Sequence, residues 1–128
     1  AVRIRIEAIN VDAPVVQGDD WEALKNGVGQ HVGTADAGQR GNLVLSAHND
    51  VFGQFFRDLD QLKEGDRIMV YTNQHQYVYT VTGWSVVSPT QVEAMDATQQ
   101  STLTLISCYP YLVDTQRIVV KAILQNNS

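Results

Sequence analysis

Residues 103–108 read Leu-Thr-Leu-Ile-Ser-Cys, a mostly apolar run that ends in the only cysteine of the chain. Pro110 follows two residues later, and because proline has no N–H to donate, strand pairing is predicted to stop there. A second apolar run opens with Arg117, and an earlier one, residues 43–48, ends in a histidine. The three runs predict three strands that carry a thiol, a guanidinium and an imidazole at their ends.

The rest of the chain also consists of short segments with alternating or apolar residues. Alternation and short apolar runs predict strands at residues 3–11, 42–47, 66–71, 77–82, 84–87, 102–107 and 118–124. Helical spacing, caps and breakers predict short helices at 20–27, 54–62 and 89–95, a strand break at 12–14 and a glycine-rich loop at 29–41. About seven or eight short strands with two or three short helices indicate a mainly β fold. A closed or nearly closed β-barrel is favoured, because closure removes edge strands.

Length and charge limit the classes of protein that fit. The 128 residues suit a single domain, 1–128, with room for a core. Nine basic against fourteen acidic residues give a net charge of −5. The basic residues form no run, which argues against nucleic-acid binding. One cysteine excludes an internal disulfide, and no stretch reaches the roughly 20 apolar residues of a membrane span.

Cys108 has two interpretations. Most unpaired cysteines are small buried hydrophobes. Three features favour a nucleophile instead: the residue ends a strand, Pro110 stops pairing after it, and the charge of Arg117 would favour a thiolate. On these features alone, a core residue and a nucleophile are equally supported.

Arg117 is a candidate partner for that thiol. If strands 102–108 and 117–124 pair as a hairpin, Cys108 and Arg117 face each other at its open end, since neighbouring strands lie roughly 4.8 Å apart. The guanidinium could then donate to an oxyanion. Without the cysteine, a solvated arginine at a strand end would be the better interpretation.

His48 is the candidate acid. It follows a strand directly, and its imidazole could protonate a leaving amine. His31 in the glycine-rich loop and His75 in a turn fit structural roles better. A zinc site is a weaker alternative, because the chain has no C-x-x-C and no H-x-x-x-H spacing.

Residues 104–108, Thr-Leu-Ile-Ser-Cys, resemble the T-L-x-T-C signature of the sortases, the cysteine transpeptidases of mainly Gram-positive bacterial surfaces. Ser107 stands where threonine is usual. Arg117 lies nine residues beyond the cysteine, as in branches with a short loop there. Residues 45–50, Leu-Ser-Ala-His-Asn-Asp, resemble the family's histidine segment, with Ala47 where glycine is common.

The resemblance covers nearly the whole chain. Residues 54–66 are similar to the helix and strand entry that follow the histidine in sortases, and residues 27–35 to the family's glycine-rich loop. The overall pattern is most similar to class D, with classes C and E as neighbours.

The resemblance implies an eight-stranded sortase barrel and two half-reactions. Cys108 would attack the Thr–Gly or Thr–Ala bond of an LPxTG-like sorting signal, and His48 would protonate the departing amine. Arg117 would stabilise the tetrahedral oxyanion or position the signal. An amine nucleophile from peptidoglycan or a pilin would then take the acyl group.

The resemblance also implies which residues contact the substrate and where in the cell the enzyme works. Substrate contacts are expected at Ala47, Ser107, Val87 and Ser88, the last two in a selecting loop over 86–95. No cofactor, metal or nucleic acid is expected. The enzyme would work at the extracellular face of the bacterial cell membrane, held by an N-terminal anchor that this chain does not include. The alternative is a catalytically silent, sortase-shaped module that binds the peptide without cutting it.

Overall fold

Strands dominate the structure, because β-branched and other apolar residues alternate along most of the chain. The computed structural model describes residues 2–18, 28–31, 35–47, 58–87, 100–109 and 116–126. Its strands in these ranges are β1 (Arg3–Ile6), β2 (Val11–Gln17), β3 (Val28–Gln30), β4 (Gly41–Ser46), β5 (Arg67–Tyr71), β6 (Gln76–Val87), β7 (Ser101–Tyr109) and β8 (Gln116–Asn126). Short 3-10 turns occupy Glu7–Ile9 and Leu59–Gln61.

The strands close into a barrel in the order β1-β2-β3-β4-β7-β8-β6-β5, and β5 pairs back onto β1. The pairs β2–β3 and β4–β7 are parallel. The predicted mainly β, closed eight-stranded barrel is confirmed. The strands predicted at 42–47, 66–71, 102–107 and 118–124 correspond to β4, β5, β7 and β8, with ends shifted by no more than two residues, and those predicted at 77–82 and 84–87 form the single strand β6.

The core fills the inside of the barrel. On β8, Ile118, Val120 and Ala122 are at most 1% exposed, whereas Ile123 is 41% exposed. Successive residues of a strand point to opposite faces of the sheet, so these three side chains point into the barrel and Ile123 points out. Val119 lies on the outward side and is nevertheless buried. Tyr79 on β6 is the largest fully buried side chain among the residues that the structure describes.

The first predicted strand, over residues 3–11, is wrong in its extent. β1 ends at Ile6, a 3-10 turn follows, and Asn10 has a left-handed φ of 59°. Asparagine tolerates that backbone, so the chain reverses there and β2 pairs antiparallel with β1. The alternation of residues runs through the reversal and does not reveal it.

The predicted break at residues 12–14 is also wrong, because Pro14 lies within β2, opposite Arg3. The N–H of Val15 donates to the carbonyl of Val2. Alternation therefore turns the nitrogen of Pro14 to the other side, where β3 pairs with β2 only from Val15 onward. A proline at this place costs no ladder hydrogen bond.

The predicted loop over residues 29–41 contains part of β3, which is too short to show a period. The turn that follows requires glycine at 38. Gly38 has a φ of 78°, and a Cβ there would overlap the ring of Tyr77. Its N–H donates to the hydroxyl of Tyr79 at 3.0 Å, which ties the turn to the core.

The predicted helices at 20–27 and 89–95 lie outside the described residues. Of the helix predicted at 54–62, the structure describes the part from residue 58, where Leu59–Gln61 form a 3-10 turn. Among the described segments, no helix has the length and apolar character to cross a membrane.

Candidate active site

Cys108 and Arg117 are direct cross-strand neighbours. β7 and β8 pair antiparallel, with Cys108 opposite Arg117 and Tyr109 opposite Gln116 at the end of the ladder. Directly opposed residues of an antiparallel pair share one face of the sheet, with Cβ atoms about 4.5–5.5 Å apart. The register predicted from the two apolar runs is therefore confirmed, and it places a guanidinium beside the position of the thiol.

Arg117 also has a neighbour on its other side. β6 pairs with β8 so that Val87 is opposite Arg117. Position 108, Arg117 and Val87 thus form one row across three strands on the outer face of the barrel. Arg117 is partly exposed and donates from Nη1 to the carbonyl of Gln116 at 3.0 Å. Val87 is also partly exposed, and Ser88 lies outside the described residues.

The chain just before His48 is bonded to the chain just before Cys108. The N–H of Ala47 donates to the carbonyl of Ile106 at 3.4 Å. The hydroxyl of Ser107 donates to the carbonyl of Ala47 at 2.9 Å. His48 itself lies outside the described residues.

Ala47 and Ser107 are buried, at 5% and 3% exposure. The Ser107 hydroxyl is engaged by the Ala47 carbonyl, so both residues hold β4 and β7 together at this end of the barrel. Their predicted contact with substrate stays a prediction. The sequence does not reveal the hydrogen bond between them, because the two residues are 60 apart and sequence patterns report only on near neighbours.

Below this end, the outer face of the same strands is partly buried and largely apolar. Ser46 is opposite Ile106, which is opposite Val119 on β8. Val44 and Val119 are at most 3% exposed, although neither belongs to the barrel core. The outer face therefore offers an apolar floor next to the Cys108 row.

The next row of residues on this outer face carries a network of polar side chains. Thr104, which is fully buried, donates its hydroxyl to Oδ1 of Asn42 at 2.6 Å. Nζ of Lys121 donates to the same hydroxyl oxygen at 2.8 Å. Sequence reasoning missed this network, although the alternation of Lys121 with Ile118, Val120 and Ala122 places the lysine on the outer face. Lys121 adds a second cation to the face that carries Arg117.

The other two histidines are held elsewhere. His75 lies in the turn between β5 and β6, where its N–H donates to the hydroxyl of Thr72 and its ring packs edge-on to Tyr77. The N–H of His31 donates to the carbonyl of Val44, within β4 rather than at its end. Among the residues the structure describes, no group of three or more His, Cys, Asp and Glu side chains could hold a metal.

Known proteins are similar to this chain over most of its length. A family model described as the Sortase domain matches residues 4–125. Sortase A of Bacillus anthracis is 33% identical over 119 residues, which are 92% of this chain and 56% of that protein. Sortase D of Bacillus subtilis (strain 168) is 27% identical over 109 residues, 84% of this chain and 54% of that protein.

Solved structures agree with the sequence relatives. The structure described as "Sortase C1 of GBS Pilus Island 1" superposes with a TM-score of 0.92 at 29% identity, over 98% of this chain and 64% of that one. The chain spans a little over half the length of the two curated relatives named above.

Proposed function

Since the chain belongs to the sortase family, we propose that it is a cysteine transpeptidase. It cleaves an LPxTG-like sorting signal after the threonine and transfers the acyl group to an amine. Cys108 is the nucleophile, His48 the general acid and base, and Arg117 the oxyanion donor.

The observation that supports this assignment best is the convergence of three chain segments at one end of the barrel. Arg117 is opposite Cys108. Ala47, which precedes His48, is hydrogen-bonded to Ile106 and Ser107, which precede Cys108. Two backbone ladders and one buried side-chain bond thus fix the separation of the three segments, and a rigid scaffold of this kind suits catalysis.

In the first half-reaction the Cys108 thiolate attacks the threonine carbonyl carbon, and the oxygen becomes an oxyanion that accepts a hydrogen bond from Arg117. The C–N bond breaks as His48 donates its proton to the departing amine. In the second half-reaction an amine attacks the thioester, His48 takes back a proton, and the thiolate leaves. The peptide bond that is lost is replaced by a new amide.

We propose further that the amine comes from peptidoglycan or a pilin, that the enzyme acts on the outer side of the bacterial membrane, and that it belongs to class D. The relatives named above carry names of classes A, C and D. The motif pattern supports class D. A panel of amine acceptors, comparing wall-peptide amines with a pilin lysine, tests the choice of nucleophile.

Intact-protein mass spectrometry tests the reaction. Mixed with a synthetic Leu-Pro-Ala-Thr-Gly peptide, the protein should gain the mass of the Leu-Pro-Ala-Thr acyl group, and an added amine should release that group as an amide. Cys108→Ala should gain no mass and stay folded, since alanine fills most of the space of a thiol. A wild-type protein that binds the peptide but never carries the acyl group would instead be the silent binding module.

Histidine variants test the choice of acid. His48→Asn should reduce turnover by about 10²–10⁴-fold, the usual contribution of general acid–base catalysis. His31→Asn and His75→Asn are matched controls, and both should turn over the peptide at close to the wild-type rate. A comparable loss at His31 would mean that another imidazole is the acid.

A further inference from the structure

Ser46 is the last residue of β4, and its hydroxyl has no partner. The Oγ atom is buried and accepts or donates no hydrogen bond in the structure. Buried hydroxyls in proteins are nearly always hydrogen-bonded, because burial removes their hydrogen bonds to water and it costs free energy to leave these unreplaced. The hydroxyl of Ser46 is therefore an exception among buried hydroxyls.

The position of Ser46 connects this hydroxyl to the proposed catalytic end. Ser46 is opposite Ile106, so alternation puts it on the same face as position 108. With strands about 4.8 Å apart and a rise of about 3.3 Å per residue, its Cα lies about 8 Å diagonally from that of Cys108. An extended peptide covers that distance in two to three residues.

The surroundings of Ser46 suit a peptide backbone. On the β3 side its neighbour is Gly29, which contributes no side chain to this face. On the other side lie Ile106 and then the buried Val119. A glycine within a strand often marks a close approach of another backbone, and a polar group beside apolar side chains is typical of a site that orients a ligand.

The hydroxyl can turn to meet a ligand. Ser46 as a residue is partly exposed, whereas its Oγ is not, so the exposed part is other than the hydroxyl. Rotation about χ1 moves Oγ between three staggered positions. A hydroxyl can both donate and accept, which fits either group of a peptide bond.

We propose that Ser46 is a peptide-binding residue, whose hydroxyl hydrogen-bonds a backbone amide group of the sorting signal within three residues of the scissile bond. The proposal deepens the proposed function and rests on it. The hydroxyl lacks a partner in the free protein and gains one when the peptide binds. It is a positioning residue and takes no part in the chemistry.

The kinetic test compares Ser46→Ala with Ser85→Ala. Ser46→Ala should lower kcat/KM for Leu-Pro-Ala-Thr-Gly by about 10-fold, which is the value of one hydrogen bond from a hydroxyl that makes no other bond in the free protein. The change should appear mainly as a higher KM. Its Tm should stay equal or rise, because the variant removes an unpartnered buried group. Ser85 lies in the same row on the same face, opposite Val119, and is exposed, so Ser85→Ala should change neither quantity.

A binding test in the Cys108→Ala background separates this proposal from the proposed function. NMR titration should give a weaker affinity for the peptide in Cys108→Ala/Ser46→Ala than in Cys108→Ala, even if the wild type proved unable to cleave. The loss should persist with Leu-Pro-Ala-Val-Gly, since valine keeps the backbone and lacks the hydroxyl. A loss confined to the threonine peptide would move the contact to the threonine side chain and overturn the backbone assignment. Equal affinities, or a lowered Tm that accounts for the kinetic loss, would overturn the proposal altogether.

Discussion

Arg117 sits between Cys108 and Val87 in one row across three strands, so its side chain can serve either the nucleophile or the bound peptide. A guanidinium has five N–H donors in a planar fork, and one of them is bonded to the Gln116 carbonyl. That bond turns one edge of the group toward its own strand. Two roles remain distinct for the proposed reaction: donation to the oxyanion, and stabilisation of the thiolate by charge.

Arg117→Lys separates these roles. Lysine keeps the charge but loses the planar fork, so an oxyanion role predicts a kcat lower by about 10²–10³-fold. A purely electrostatic role predicts a kcat close to the wild type, because a point charge is enough to favour the thiolate. The measurements are kcat with Leu-Pro-Ala-Thr-Gly and the pH profile of Cys108 alkylation. A lysine variant with normal kcat and normal alkylation would remove the oxyanion role.

At the scale of elements, the parallel pair β4–β7 connects the histidine and cysteine segments. Ser107→Ala removes the hydroxyl that bonds the Ala47 carbonyl and leaves that buried acceptor without this donor. The free energy of unfolding should fall by about 1 kcal/mol, and kcat should fall with it because the separation of the two segments loosens.

Ser107→Thr is the matched control for that variant. It keeps the hydroxyl and restores the residue usual in the T-L-x-T-C signature, so both stability and kcat should stay close to the wild type. Thermal unfolding and single-turnover acylation provide the two readouts. If Ser107→Ala lost stability but acylated at the normal rate, the bond would be structural only.

The strands of the candidate site could be predicted from the sequence, whereas β3 and the hydrogen bonds between the ends of β4 and β7 could not, for a physical reason. β4, β7 and β8 are apolar runs with clear ends, and because β7 and β8 are joined by a short connection, the pairing of Cys108 with Arg117 follows from their sequence positions. β3 has three residues and depends on β2 and β4 for its conformation. The bonds of Ala47 to Ile106 and Ser107 join segments far apart in sequence, which local patterns do not report.

At the scale of the whole molecule, Tyr79 couples stability to alkaline pH. Burial raises the pKa of its hydroxyl above the ordinary value, and the bond from Gly38 opposes that rise only in part. Because the folded-state pKa is the higher one, the unfolded chain loses the phenol proton first as pH rises. The free energy of unfolding should therefore decrease above about pH 10.

Tyr79→Phe should change this dependence in two opposite ways. Near pH 7 the variant should be less stable by about 1 kcal/mol, because the N–H of Gly38 loses its acceptor. Above about pH 10 its stability should fall less steeply than that of the wild type, so the two curves converge. Urea unfolding at pH 7 and pH 10.5 measures both effects. An unchanged slope in Tyr79→Phe would show that other groups cause the alkaline loss.

The order of the strands has a consequence for folding during synthesis. β8 comes last along the chain, yet it is inserted between β6 and β7. On the ribosome, the first seven strands emerge while the barrel still has an open seam, and Arg117 is not yet beside Cys108. Translation delivers the N-terminal part first, and distant pairings form slowly. The proposed activity is therefore expected to appear only after β8 has been synthesised and has closed the seam.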